Sequence, residues 1–174
     1  MKKLFNWILV LAAMVGAFYG VGVIVPRSQR LGCTTTIEEN TVRLYEQFND
    51  PTGWDDWHPD FARVDELPEV NKERRWRVTD QEGLVFEFTE SQAEENQRWQ
   101  GSYERLGSRT TLRFELTGYG SGSRVRLVKT VETRDPWLRA KRFLWFGDDS
   151  SALAILNAFQ GHLGETPGAA KDHD

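Results

Sequence analysis

The stretch NDPTGWDDWHPDF, residues 49–61, packs aspartates, two tryptophans, a histidine and two prolines into one turn-rich segment. Two readings compete for it: a cluster that does chemistry, or a structural corner. A metal site drawn from Asp55, Asp56, His58 and Asp60 lacks the separated histidine and carboxylate pairs that recur in metal sites. His58 as a base has no partner in the sequence to orient it. Trp54 and Trp57, by contrast, each bring a large area to bury. The corner is the better reading.

Upstream, LGCTTTI (residues 31–37) is β-branched and reads as a strand. Asn40 or Thr41 can cap a short helix, TVRLYEQF, with Val42, Leu44, Tyr45 and Phe48 on its buried side. Downstream, six segments alternate apolar with polar residues: FARVDEL, NKERRWRVT, GLVFEFTES, NQRWQGSYERL, SRTTLRFELTG and SRVRLVKTVET. Turn signals such as DQEG and GYGSG lie between them. Leu84, Phe86 and Phe88 share one face, as do Leu112, Phe114 and Leu116, and Val125, Leu127 and Val131. Glu87, Arg113, Glu115, Arg124 and Arg126 fall on the opposite faces, where cross-strand ion pairs are expected. GYGSG precedes a strand, so it lacks the helix N-terminus that phosphate binding uses.

The period then changes. DPWLRAKRFLWFGDDSSALAILNAFQGHLGE is helical, in two pieces meeting near Gly147. Asp148 and Asp149 favour a helix start. Ala152, Ile155, Leu156, Phe159 and Leu163 form one stripe, and Gly164 suits the stop. Residues 165–174 read as a disordered, solvated tail.

This order of elements, with Ile37, then Leu44-Tyr45, then Asn49, Asp50, Pro51, Trp54, Trp57 and Pro59, resembles the N-terminal signature of the SRPBCC (START-like) superfamily, particularly its polyketide cyclase/dehydrase branch. The glycine turn GSGSRVRL, followed by a strand and closing helix, is similar too. Asn40-Thr41 stand where prolines are common in such proteins, though asparagine caps helices well. The resemblance implies an α+β helix-grip domain: a curved antiparallel sheet of about seven strands, two short helices after the first strand, and a long C-terminal helix. It also implies a pocket between sheet and helix that holds apolar or aromatic ligands. Members with one N-terminal membrane helix are similar to this chain over residues 1–30.

That N-terminal segment supports the same expectation by itself. From Leu4 to Val25 no residue is charged, a run of 22, and about 20 apolar residues span a bilayer core. A cleaved signal peptide usually has a shorter apolar region and an A-x-A-like site, which Pro26-Arg27 do not provide. A lipoprotein cysteine at Cys33 is separated from the apolar run by Arg27 and Arg30. An uncleaved anchor contacting the bilayer through residues 4–25 is therefore expected. Lys2, Lys3 and the amino terminus before it outweigh Arg27 and Arg30 after it by one charge, which favours N-inside, with the remainder on the outer face of an inner (cytoplasmic) membrane. Gly16 and Gly20 make a G-x-x-x-G pair, a spacing that arises easily by chance and fixes no oligomeric state. The domain reading is 1–30 anchor, 31–164 helix-grip domain and 165–174 tail.

Lys2, Lys3, Arg27 and Arg30 are four of the 22 basic residues, leaving 18 against 26 acids, or −8, for the rest of the chain. Such an acidic domain is a poor partner for nucleic acid or anionic headgroups. One cysteine permits no internal disulfide. No cofactor or metal is expected.

Site candidates are polar or charged residues on apolar faces, since a buried charge must be paired or functional. Lys129 is in register with Val125, Leu127 and Val131, Glu90 with Phe86 and Phe88, and Arg74 with Trp76 and Val78. Their long stems can equally cover the core from strand ends. Trp76, Phe86, Trp99, Tyr103 and Phe114 either line a ligand cavity or fill it. PWLRAKRFLWF, residues 136–146, is basic and aromatic and either touches the membrane or starts the closing helix. Three function classes follow: a membrane-tethered module binding a hydrophobic small molecule or lipid; a cyclase/dehydratase-type enzyme with Glu90 and Lys129 as its acid–base pair; and an interaction or stress-response domain with no working pocket.

Overall fold

A computed structural model describes residues 2–146 and 151–172. An apolar helix, α1 (Lys2–Ile24), leads into strand β1 (Ser28–Ile37). Helix α2 (Thr41–Asn49) and a 3-10 turn (Pro51–Asp56) then carry the chain across to the far edge of the sheet. There six strands follow as a meander: β2 (Phe61–Val70), β3 (Glu73–Asp80), β4 (Val85–Glu94), β5 (Arg98–Arg105), β6 (Ser108–Tyr119) and β7 (Gly122–Thr133). Helix α3 (Pro136–Lys141) runs into a π-helical turn (Arg142–Phe146), and α4 (Ser151–His162) precedes a two-residue strand, β8 (Ala170–Lys171). Gly147, Asp148 and Asp149, expected at the junction of the two helical pieces, lie outside the described residues.

The antiparallel sheet has the order β2-β3-β4-β5-β6-β7-β1-β8. Irregularities in register between Phe61 and Arg63, Leu67 and Val70, and Glu90 and Gln92 bend strands and increase local twist. α2 lies against β5 and β6, and α4 against β1 and β7.

Local chemistry explains the junctions. Asn40 Oδ1 accepts from Arg43 N at 2.9 Å and caps α2, while Asp50 Oδ1 accepts from Thr52 N at 3.1 Å to start the 3-10 turn. Asp80 Oδ1 takes the amides of Glu82 and Leu84 at 2.9 and 2.8 Å, closing the β3–β4 turn. α4 ends at Gly164, whose φ of +78° suits glycine, with Glu165 N reaching back to Gln160 O at 2.9 Å. Cross-strand ion pairs form on the outer face as the alternation predicts, for example Arg75–Glu87 at 2.8 Å and Arg126–Glu115 at 3.7 Å.

Three expectations are corrected. Val42 is exposed, because Leu44 and Phe48, one helical turn apart, set the buried stripe and Val42 falls opposite. Leu84 is outside β4, since its amide is taken by the Asp80 turn. Part of the tail joins the sheet: Ala170 and Lys171 pair with Thr34 and Cys33. Asp172 accepts from Thr34 Oγ1 at 2.7 Å and from Arg126 Nε at 2.6 Å. Polar composition suggested solvent, but two specific partners on the sheet hold the tail as an edge strand.

Candidate functional site

The corner at residues 49–61 is a packing device. Trp54 is fully buried and Trp57 nearly so. Trp54 packs edge-on to Trp99 and Phe114 at 5.0 and 5.7 Å, and its Nε1 donates to Gln47 O at 3.1 Å. Ile37 is buried beside them, and Pro59 is exposed in the turn leading to β2. His58 stacks on Phe61 at 3.8 Å and accepts the amide of Asp60 at Nδ1. Burial, with a smaller contribution from the Lys129 charge, lowers its pKa to about 3. It is therefore neutral at any physiological pH. Among the described residues, no group of three or more histidine, cysteine or acidic side chains is arranged to hold a metal.

Most of the predicted pocket aromatics occupy the grip themselves. Phe48 stacks on Phe114 at 4.1 Å, and Phe88 lies parallel to Trp99 at 5.6 Å. Trp76, Trp99 and Phe114 are at most 1% exposed, so the middle of the concave face is solid. Phe86 stacks on Tyr103 at 4.7 Å. Gly101 is what admits this stack: a Cβ there would stand 2.4 Å from Phe88 and 2.6 Å from Trp99.

Arg74 and Glu90 sit together at one end of this core. Arg74 donates to Asn49 O at 2.9 Å and lies 4.9 Å from the centre of the Trp76 ring. Glu90 accepts from Trp99 Nε1 at 2.9 Å and faces Arg74 at 3.5 Å.

Lys129 is elsewhere. The register runs Glu90–Gly101–Leu112–Lys129 across four strands, three spacings of about 4.8 Å each. Lys129 is 8% exposed, and its Nζ donates to Ser151 Oγ at 2.8 Å. It borders a cavity of about 300 Å³ between the ends of β5, β6 and β7 and the α3–α4 segment. Apolar walls come from Leu106, Val131 and Leu138; Asp60, Ser108 and Thr110 add polar groups. Tyr103 lines the same space, and burial pushes its hydroxyl up to about 12, leaving it a neutral hydrogen-bonding group. Arg105, also on the rim, is held by Asp80 at 2.6 Å and Glu82 at 2.8 Å.

Of the residues selected from sequence, the structure thus brings Tyr103 and Lys129 to one cavity, and places Arg74 and Glu90 together apart from it. Ser108, Thr110 and Ser151 were missed. Ser108 and Thr110 share parity with Leu112 and Phe114, so small polar residues on an apolar face were the available signal. A larger hollow of about 520 Å³ runs over β4 and β5. Phe86, Glu90 and Tyr103, all selected from sequence, border it, but Glu73, Glu87 and Glu104 share its walls, a poor surround for an apolar ligand.

No protein-family model and no curated protein matches the chain. Solved structures do. An aromatase/cyclase from Streptomyces sp. R1128, Zhui, aligns with a TM-score of 0.62 at 15% identity, over 79% of this chain and 94% of that one. Protein MLL2253 from Mesorhizobium loti gives 0.58 at 16%, over 78% and 97%. Major latex-like protein 151 from Panax ginseng gives 0.54 at 12%, over 79% and 98%. The chain has the helix-grip fold. Helix-grip similarity at these identities establishes architecture, and one architecture hosts many functions. Function has to be argued from the cavity beside Lys129.

Proposed function

We propose that this protein is a membrane-anchored domain of the SRPBCC type that binds a small hydrophobic molecule carrying an anionic or hydrogen-bond-accepting end. The observation behind this reading is Lys129: an inward-facing, nearly buried cation at the wall of a cavity that combines apolar surface from Leu106, Val131 and Leu138 with the polar groups of Tyr103, Ser108, Thr110 and Ser151 and the further cations Lys141 and Arg142. Its ammonium, the Ser151 hydroxyl and neutral Tyr103 would take the polar end. Leu106, Val131 and Leu138 would cover the apolar part. At about 300 Å³ the cavity is at the small end of the range for ligand sites, suited to a compact molecule or the tip of a longer one.

The anchor is α1, the one helix among the described residues long and apolar enough to cross a membrane. Its 23 residues extend about 34 Å at 1.5 Å each, against a hydrocarbon core of about 30 Å. The charge flanking it supports an inside N-terminus and an outward-facing domain. Binding is favoured over catalysis because Glu90 and Lys129, the acid–base pair a cyclase-type enzyme would need, are engaged with separate partners.

The test is gentle extraction of the full chain and native mass spectrometry, for wild type and Lys129→Met. A small acidic amphiphile retained by the wild type and lost from the variant supports the reading. A bare mass in both, with no stabilisation by a panel of fatty and aromatic carboxylates, refutes it.

A further inference from the structure

Large apolar side chains outside α1 are exposed at nine described positions: Val42, Val70, Leu84, Val85, Leu106, Tyr119, Trp137, Phe143 and Leu144. Six of these lie at one end of the sheet. Leu84 and Val85 belong to the β3–β4 turn, Leu106 to the β5–β6 turn, and Trp137, Phe143 and Leu144 to α3 and its π-helical continuation. The turns are neighbours, because Arg105 bridges to Asp80 and Glu82. The β5–β6 turn also abuts α3: a Cβ on Gly107 would touch Leu138 at 3.0 Å.

α1 leaves the domain at this same end, since Ser28 pairs with Glu132 where β7 runs into α3. Trp137 packs on Phe18 and Tyr19 of α1 with ring centres 5.0 and 6.1 Å apart. Gly22 sits so tightly on the Pro136 carbonyl that any Cβ would collide with it. The apolar surface of the anchor therefore continues onto α3. Leu106 is a further sign: it is 69% exposed and adopts a φ of +49°, a backbone region that a bulky apolar residue rarely enters. Arg134 and Lys141, both exposed, add positive charge beside these residues.

We infer that this end of the domain, formed by Leu106, Trp137, Phe143 and Leu144, is seated in the interfacial layer of the lipid bilayer. The inference rests on α1 spanning that bilayer. Trp137, packed on the last turns of α1, then meets the lipid with its ring, and the basic groups meet the headgroups. The cavity beside Lys129 has walls from Leu106 and Leu138 of the same end, so its ligand enters from the membrane surface rather than from bulk water.

Site-directed spin labelling of the full chain tests this, in a Cys33→Ala background and vesicles of phosphatidylcholine with a minor fraction of phosphatidylglycerol. Labels are placed at Leu106→Cys and Phe143→Cys, with Val15→Cys in α1 and Val70→Cys at the opposite end of the sheet; thermal melts verify that each variant folds. Collision rates with oxygen and with a water-soluble nickel chelate report depth. The expected result is a several-fold higher oxygen-to-nickel ratio at 106 and 143 than at 70, with 15 deepest. Aqueous values at 106 and 143 with a deep value at 15 overturn the seating and leave the anchor intact. An aqueous value at 15 removes the anchor reading and this inference with it.

Discussion

The guanidinium of Arg139 donates to the carbonyl of Val25 at 3.0 Å, joining residues 114 apart in the chain, and Arg139 is buried where it does so. The last carbonyls of a helix have no partner within it, and a cation there also complements the helix dipole. Arg139 thus clamps the end of α1 to the domain. Arg139→Met keeps the stem and removes the donor, so it should cost about 1–3 kcal/mol, read as a lower unfolding midpoint for the full chain in detergent. Arg139→Lys should recover part of the loss. An unchanged midpoint would assign the docking to the Trp137 contacts instead.

Gly101→Ala places a methyl group against Phe88 and Trp99. Both rings are buried in a stack, so relief requires moving core side chains, at a cost of about 1–3 kcal/mol. Urea unfolding of the variant should show it, and an effect below a few tenths of a kcal/mol would mean the core is looser than described.

His58 introduces a pH dependence. Its folded pKa of about 3 lies below the ordinary value near 6.5, so between those limits the unfolded chain binds the extra proton. Stability contributed by neutral His58 is complete above pH 6.5 and falls as pH drops toward 3, by up to about 1.4 kcal/mol per pH unit. Comparing wild type with His58→Phe between pH 5 and 6.5, above most carboxylate titration, should isolate this slope. Parallel curves would show that His58 is accessible to protons in the fold.

Asp172 ties the tail to the sheet through Thr34 and Arg126. Deleting residues 169–174 removes these bonds and uncovers the edge of β1. The expected result is a loss on the order of 1 kcal/mol and an increased tendency to self-associate, measured by thermal melts and light scattering. If both are unchanged, the tail strand contributes nothing in solution.

Glu90 and Lys129 should separate functionally. Glu90→Gln weakens the bonds to Trp99 and Arg74 and should cost about 1 kcal/mol, while leaving the affinity of any ligand found in the cavity unaltered in calorimetric titration. Lys129→Met should do the reverse. Loss of affinity in both variants would mean that they act together.

Much of the architecture was legible because local chemistry and period agree. Alternation along β6 and β7, the Asn40 cap, the stripe of α4 and the tryptophans of residues 49–61 each point to one structure, and each formed. Which residues would line a cavity and which would fill it was not legible. Trp99, Tyr103 and Phe114 share parity and character, yet Trp99 and Phe114 close the grip while Tyr103 borders the space that remains. The deciding contacts come from α2, the 3-10 turn and Gly101, far apart in the chain. Likewise, inward parity placed both Glu90 and Lys129 on the concave face but said nothing of the three strand spacings between them. The tail was misread because its partners, Thr34 and Arg126, are distant in sequence. The sequence by itself determined the order of elements from α1 to α4, the buried faces of β6, β7 and α4, and the apolar first helix, all of which depend on near neighbours. Only the tertiary structure decided the position of the cavity and the gathering of exposed apolar residues where α1 leaves the domain, because both are products of strand register and of turns meeting at one end of the sheet.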